Sequence, residues 1–411
     1  MTLAAVPGWA EVAAQFPILG RSDDGRRLVY LDSGATSQTP LVVREAMDDY
    51  YGEHRASVHR GVYPLAVEAT ELYEGARDKV AAFAGSTPGE TVFTRNGTEA
   101  INLVAQAYGR ATLRPGDLVV ITEMEHHSNI VPWQLTCQAT GAELAYVPID
   151  DDGRLDLAAL DGLLAREPRI LALTHVSNVL GTVNPIGEIA ARGHAAGALV
   201  VVDGCQAAPH LPLDVGASGA DFYAWTGHKA YGPTGVGVLH GRRELLEAMP
   251  PLLGGGHMIA RVGLLESTWA EPPTKFEAGT MPIAEAVGLG AAVDWLSGLG
   301  MDAVWEHSRD VVGYAVERLR DVPEVTLFGP PDLADRGAVC AFAYEGVHPH
   351  DVAEILGREA VCVRAGHHCA QPLMRRLGVG ATTRASFGVY STRDDVDRLV
   401  EALDGVRRVF G

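Results

Sequence analysis

Between residues 90 and 240, short β-rich apolar runs alternate with helical patterns, and this alternation limits the possible folds more than any other feature of the chain. The runs are TVFT, DLVVITE, ELAYVPI, RILALTHVS, ALVVVD, DFYAWTG and GVGVLHG. Between them lie amphipathic segments such as EAINLVAQAYGRA and IGEIAARGHAAGA, which supply crossover helices. The pattern predicts an α/β fold with a large, mostly parallel sheet. Ligands bind at the carboxyl ends of such strands. After the apolar helix AEAVGLGAAVDWLSGLG the order changes to helix, strand and short-helix units ending in DDVDRLVEALDGVRRVF. We therefore expect a large domain over residues 30–294 and a smaller α+β domain formed by residues 1–29 and 295–411.

Composition narrows the function. A chain of 411 residues that is 47% hydrophobic can bury a large core, and no repeat or low-complexity tract interrupts it. A formal charge of −19 argues against binding nucleic acid or an anionic membrane, both of which need clustered Lys and Arg. The five cysteines are odd in number and none forms a C-x-x-C pair, so neither a disulfide framework nor a thiolate zinc site is expected. A reducing cytoplasm suits them. The first residues lack a signal-peptide pattern, and no segment approaches the roughly 18 apolar residues of a membrane span.

Six motifs carry chemistry. In WTGHKAYGPTGVGVL, Lys229 follows a strand on a turn of small and hydroxyl-bearing residues, where it can face a pocket; a surface lysine in a glycine-rich loop would look similar. ALVVVDGCQAAPH places Asp203 at a strand end, where a carboxylate needs a partner, and Gln206 three residues on. TVFTRNGTEAINL runs from a strand through Gly97 and Thr98 into a helix, a phosphate-site arrangement or an ordinary N-cap. ITEMEHHSNIVPW carries His126 and His127, and EAVCVRAGHHCAQPLM carries Arg364, His367, His368 and Cys369; each invites a metal alternative, and in the second Arg and His could activate a thiol. In ATTRASFGVY, Arg384 suits capture of a carboxylate or an ordinary surface salt bridge. A lysine for covalent attachment, a carboxylate for a pyridine nitrogen, hydroxyls for a phosphate and an imidazole to stack together describe a pyridoxal-phosphate site.

Taken together, EHHSNIVPW, HVSNVLGT, VVDGCQAAPH, GHKAYGPTGVGVL, FEAGT, VRAGHHCAQPLM and TTRASFGVY resemble the cysteine desulfurases of the SufS type, within the class V aminotransferases, over nearly the whole chain. The resemblance implies the type I pyridoxal-phosphate fold and a homodimer that takes sulfur from L-cysteine. Lys229 would bind the cofactor and then take the α-proton. Asp203 would pair with the pyridine nitrogen, His126 would stack on the ring and Gln206 would reach the phenolic oxygen. Thr98, Thr226 and His228 would hold phosphate, with Thr280 of FEAGT arriving from the other subunit. Asn178, Arg364 and Arg384 would hold the substrate, and Cys369 would receive the sulfur as a persulfide. A selenocysteine lyase or a transaminase would share much of this pattern.

Departures from the family pattern are Thr226 for a serine, Met281-Pro282 after FEAGT, His257 in GGGHMI for a glutamate, and Tyr63 for a histidine. In YEGVHPHDVAEIL, His348 and His350 flank a proline on a predicted surface turn. HPHD followed by the Cys369 motif resembles desulfurases that pass sulfur to a zinc-containing SufU-type partner. There the histidine matching His350 takes a zinc position and frees an acceptor thiolate; the sulfur would go to iron–sulfur cluster assembly or to another thiolation pathway.

Overall fold

The structure is a computed structural model, and it describes residues 8–411. All seven apolar runs form strands of one sheet: β1 (Thr91–Thr94), β2 (Leu118–Thr122), β3 (Glu143–Val147), β4 (Ile170–Thr174), β5 (Leu199–Asp203), β6 (Phe222–Thr226) and β7 (Gly237–Gly241). Their spatial order is β1-β7-β6-β5-β4-β2-β3. Strands β2 to β6 pair in parallel, and β7 runs antiparallel to both β1 and β6.

The sheet is covered on both faces, which is why its central strands read as unbroken apolar runs. Val120, Leu171 and Val200 enter one hydrophobic core, while their neighbours Val119, Ala172 and Val201 enter a second core on the opposite face. Each such valine or leucine contributes about 1.5–3 kcal/mol when fully buried. The predicted helix over EAINLVAQAYGRA forms with a widened turn: α-helix Gly97–Leu103 is followed by a π-helical stretch, Val104–Gly109.

Beyond the helix Ile283–Leu299, four strands form a second, antiparallel sheet: β8 (Val325–Phe328), β9 (Val339–Tyr344), β10 (Arg364–Gly366) and β11 (Thr382–Ser386), in the order β8-β9-β11-β10. Helices Met301–Arg320, Pro349–Arg358 and Arg393–Phe410 pack on it around Val312, Phe342, Leu356 and Leu399. The N-terminal segment is stitched to this unit, because Val29–Tyr30 pairs in parallel with Val361–Cys362 and Asp32 bridges Ser386. Val29 and Leu31 are buried in the same core.

Candidate active site

The carboxyl ends of β2, β4, β5 and β6 open into a cavity of about 420 Å³. Its other wall comes from the second sheet. His126, Asn178, Asp203, Gln206, Thr226 and Lys229 line it from the first sheet, and Arg364, Cys369 and Arg384 from the second. Gly97, Thr98 and His228 complete the lining. Residues from all six motifs, together with Asn178 of HVSNVLGT, thus meet in one place.

One end of the cavity is a cradle for an anion. Asn96 is the N-cap of helix Gly97–Leu103, and its side chain accepts from the Glu99 amide at 2.9 Å, so the Thr98 hydroxyl is not the cap. A Cβ at Gly97 would stand 2.6 Å from Cys205 Sγ, which leaves glycine as the residue that fits. Thr226 Oγ1 is buried and has no hydrogen-bond partner among the described residues. Burial, and then the Lys229 charge, pushes the His228 imidazole down to about 4, so it is neutral near pH 7.

Asp203, at the last position of β5, is buried, and its Oδ1 accepts from the Cys205 amide at 3.0 Å. Gln206 Nε2 donates to the Gly34 carbonyl at 2.7 Å, which ties the loop after β5 to the N-terminal segment. His126 Nδ1 accepts from the Ser128 amide at 3.1 Å, which assigns the imidazole proton to Nε2. Burial, followed by the Lys229 charge, lowers His126 to about 4.

Glu125, which sequence reasoning passed over, fixes the His126 loop. Its buried carboxyl group accepts from Asn129 Nδ2 at 2.7 Å and from the Thr174 amide at 2.9 Å, joining the loop after β2 to the end of β4. Burial pushes it up to about 8.

Cys369 is exposed, on a loop in which His368 and Cys369 both have left-handed backbones (φ 51° and 56°). The His127 amide donates to the Cys369 carbonyl and Asn178 Nδ2 to the His368 carbonyl, each at 2.7 Å. These bonds hold the turn, so Asn178 positions the cysteine loop as well as facing the cavity. His368 Nε2 lies 3.1 Å from the Thr382 carbonyl and must carry the proton there. Burial, then the Arg384 charge, lowers this imidazole to about 3. The expectation that neighbouring histidines and arginines together supply positive charge to the thiol is therefore corrected for His368, which is neutral.

Arg384 lies in the middle of β11, not at its start, and is buried; Arg364 lies directly opposite it on β10. Both pair with Asp32, a second residue missed in the sequence. Its LDSGAT context gives no local signal, because the partners are more than 330 positions away.

Two expected residues, Thr280 and His350, stand outside this cavity, as does the departure His257. Thr280 is exposed and lines an adjoining opening together with Asn96, His228 and Met281. His350 is exposed in the first turn of helix Pro349–Arg358, where its amide donates to Nδ1 of the N-cap His348 at 3.2 Å. The two rings stand 5.0 Å apart, edge to face. His257 stacks on His59 with centroids 4.7 Å apart. Among the described residues no group of three or more His, Cys, Asp and Glu side chains is arranged to hold a metal ion, and no helix is long and apolar enough to cross a membrane.

The family model described as aminotransferase class-V matches residues 29–399. The chain belongs to the class-V aminotransferase family. Within that class, a probable cysteine desulfurase of Streptomyces coelicolor is 51% identical over 418 residues, covering all of both chains. The apo cysteine desulfurase of Thermococcus onnurineus superposes with a TM-score of 0.94 at 38% identity over the full length of both chains. The Escherichia coli cysteine desulfurase CsdA, in its S-sulfonic acid form, superposes with a TM-score of 0.91 at 41% identity, covering 98% of this chain and 99% of that one. The class-V chain therefore has the type I fold of pyridoxal-phosphate enzymes, and the resemblance drawn from its motifs holds. Its residues also fit that cofactor: the orphan Thr226 hydroxyl and the Gly97 cradle suit a phosphate, and Asp203 suits a protonated ring nitrogen.

Proposed function

We propose that this chain is a pyridoxal-phosphate-dependent cysteine desulfurase that converts L-cysteine to L-alanine and keeps the sulfane sulfur on Cys369. The observation that carries this is the shared cavity. A lysine and carboxylate suited to the cofactor, two arginines suited to a carboxylate, and an exposed cysteine all line it.

Bound pyridoxal phosphate supplies an electron sink that makes the substrate's Cα–H acidic and its C–S bond cleavable. Lys229 Nζ would hold the cofactor, and the same amine would serve as the base for the substrate's α-proton. Asp203 would keep the ring nitrogen protonated, and neutral His126 would stack against the ring. Thr98, Thr226 and His228 would bind the phosphate, and Gln206 would hydrogen-bond the phenolic oxygen. Arg384, with Asn178 and Arg364 beside it, binds the substrate carboxylate. Cys369 Sγ attacks the substrate sulfur, forming an S–S bond as the C–S bond breaks, so the enzyme uses two nucleophiles.

The same reading assigns residues 30–294 to a large domain, with 1–29 and 295–411 forming the small one. It makes the enzyme a cytoplasmic homodimer in which Thr280 completes the neighbouring subunit's phosphate site. Exposed His350 is the point of engagement for a zinc-containing, SufU-type acceptor, since neutral imidazole is a good zinc ligand. Sulfur then passes toward iron–sulfur cluster assembly. The test is to assay purified protein for alanine formed from L-cysteine, and for a visible absorbance band that borohydride removes. Alanine without such a band, or the band without alanine, defeats the assignment. His350→Ala should leave persulfide formation nearly unchanged and slow turnover stimulated by the zinc partner; equal stimulation of both forms removes that partner.

A further inference from the structure

Asp203 stands at the last position of β5 and is followed by Gly204, the residue type with the most backbone freedom, so the strand end that carries the carboxylate needs support from its neighbours. β5 lies between β4 and β6, and both hold its end. His175, just beyond β4, donates its amide to the Asp203 carbonyl at 2.8 Å, and the Gly204 amide donates to the Ala224 carbonyl of β6 at 2.8 Å. A side chain closes the same bracket. Tyr223 of β6 pairs with Val202 of β5 and is fully buried, yet its hydroxyl lies 2.8 Å from Nδ1 of His175. Next-but-one strands of a sheet are roughly 10 Å apart, so the phenol crosses the width of β5 to reach the far side. It crosses at Gly204, where a Cβ would stand 2.1 Å from Tyr223 Cε1 and 2.4 Å from the hydroxyl oxygen.

This strap carries no charge that would compete for Asp203. Burial, then the Asp203 charge, raises the Tyr223 hydroxyl well above its ordinary range, and burial lowers His175 to about 4, so both partners are neutral near pH 7. A buried hydroxyl and imidazole joined in this way tie β6 to β4 across the residue that follows Asp203. A hydrogen bond weakens steeply as its donor and acceptor leave line, so the contact that Asp203 makes with a ring nitrogen depends on where the end of β5 is held. We propose that Tyr223 is a positioning residue that, through its hydrogen bond to His175 across Gly204, keeps Asp203 in line with the cofactor's ring nitrogen. The inference rests on the reading that Asp203 pairs with that nitrogen.

Titration of the cofactor-free chain with pyridoxal phosphate, followed by the visible absorbance band, tests this as a double-mutant cycle. Tyr223→Phe keeps the ring, and so the packing, and removes only the hydroxyl. It should weaken cofactor binding roughly fivefold, the scale of one buried hydrogen bond. Asp203→Asn should weaken binding more strongly. In the Asp203→Asn background the further change Tyr223→Phe should alter affinity by less than about twofold, because the strap then has no ion pair to align. Equal weakening by Tyr223→Phe in both backgrounds would show a role in the fold alone and overturns the proposal, as does native affinity in Tyr223→Phe itself. Native affinity in Asp203→Asn would count against the ring-nitrogen assignment, and the proposal falls with it. All of these are binding readings. Absence of alanine formation from L-cysteine counts only against the desulfurase assignment.

Discussion

At the floor of the cavity Asp203, Thr226 and Lys229 stand at or just beyond the ends of fully buried parallel strands, whereas Cys369 stands on an exposed loop with two successive left-handed residues. The floor residues are set by strand packing. The loop is set by hydrogen bonds from His127 and Asn178, which offset a backbone cost of roughly 1 kcal/mol or more per left-handed residue. The contrast suits the two halves of the chemistry. Cofactor-assisted bond breaking needs preorganised groups away from water, while handing sulfur to another molecule needs an accessible atom. It also implies that the two halves can be damaged separately.

The largest expected effect is at the floor. Lys229→Ala should lose the borohydride-sensitive absorbance band and reduce alanine formation at least about a thousandfold, within the range a positioned general base supplies. Near-normal turnover in that variant would break the comparison outright. Cys369→Ala is the complementary case: no persulfide should form, while cofactor content and the native spectrum persist. Loss of cofactor from Cys369→Ala would show that loop and floor are one unit.

Acid should act on the buried region. His175 and His210 are pushed down by burial to about 4 and His240 to about 3, against an ordinary value near 6.5. Between these limits the unfolded chain binds protons that the folded chain does not, so stability falls as the pH drops from about 6.5 toward 4. Each such histidine contributes up to about 1.4 kcal/mol per pH unit in that window. Denaturant unfolding at stepped pH should show this decline, and a flat profile would contradict the buried neutral imidazoles. The smallest effect concerns the phosphate end. Thr226→Val should weaken cofactor retention about tenfold, the scale of a lost hydrogen bond to a charged group, while Thr226→Ser stays near native. Equal cofactor affinity in all three proteins would remove Thr226 from the cradle.

The same contrast explains what could be read from the sequence. Six of the seven strands were legible because burial on both faces writes continuous apolar runs, and Asp203, Thr226 and Lys229 end or follow those runs; β3, at the sheet edge, is only partly buried. Gly97 was legible as part of a strand-to-helix turn. What was not legible depends on distant packing. Asp32 meets its arginines through a bridge between the chain's two ends, and Glu125 is defined by Thr174 of another strand. His368 looked like a cation beside a thiol, and only its burial, followed by the Arg384 charge, makes it neutral. The π-helical widening at Val104–Gly109 leaves no periodic signature that separates it from a continuous helix.

Peptide mass spectrometry of the cofactor-loaded protein after brief exposure to L-cysteine, under non-reducing conditions, tests the central claim most directly. The account predicts one added sulfur on the peptide containing Cys369, absent from Lys229→Ala. Added sulfur on Cys137, Cys205, Cys340 or Cys362 instead, or alanine release with no sulfur on any cysteine, would contradict it.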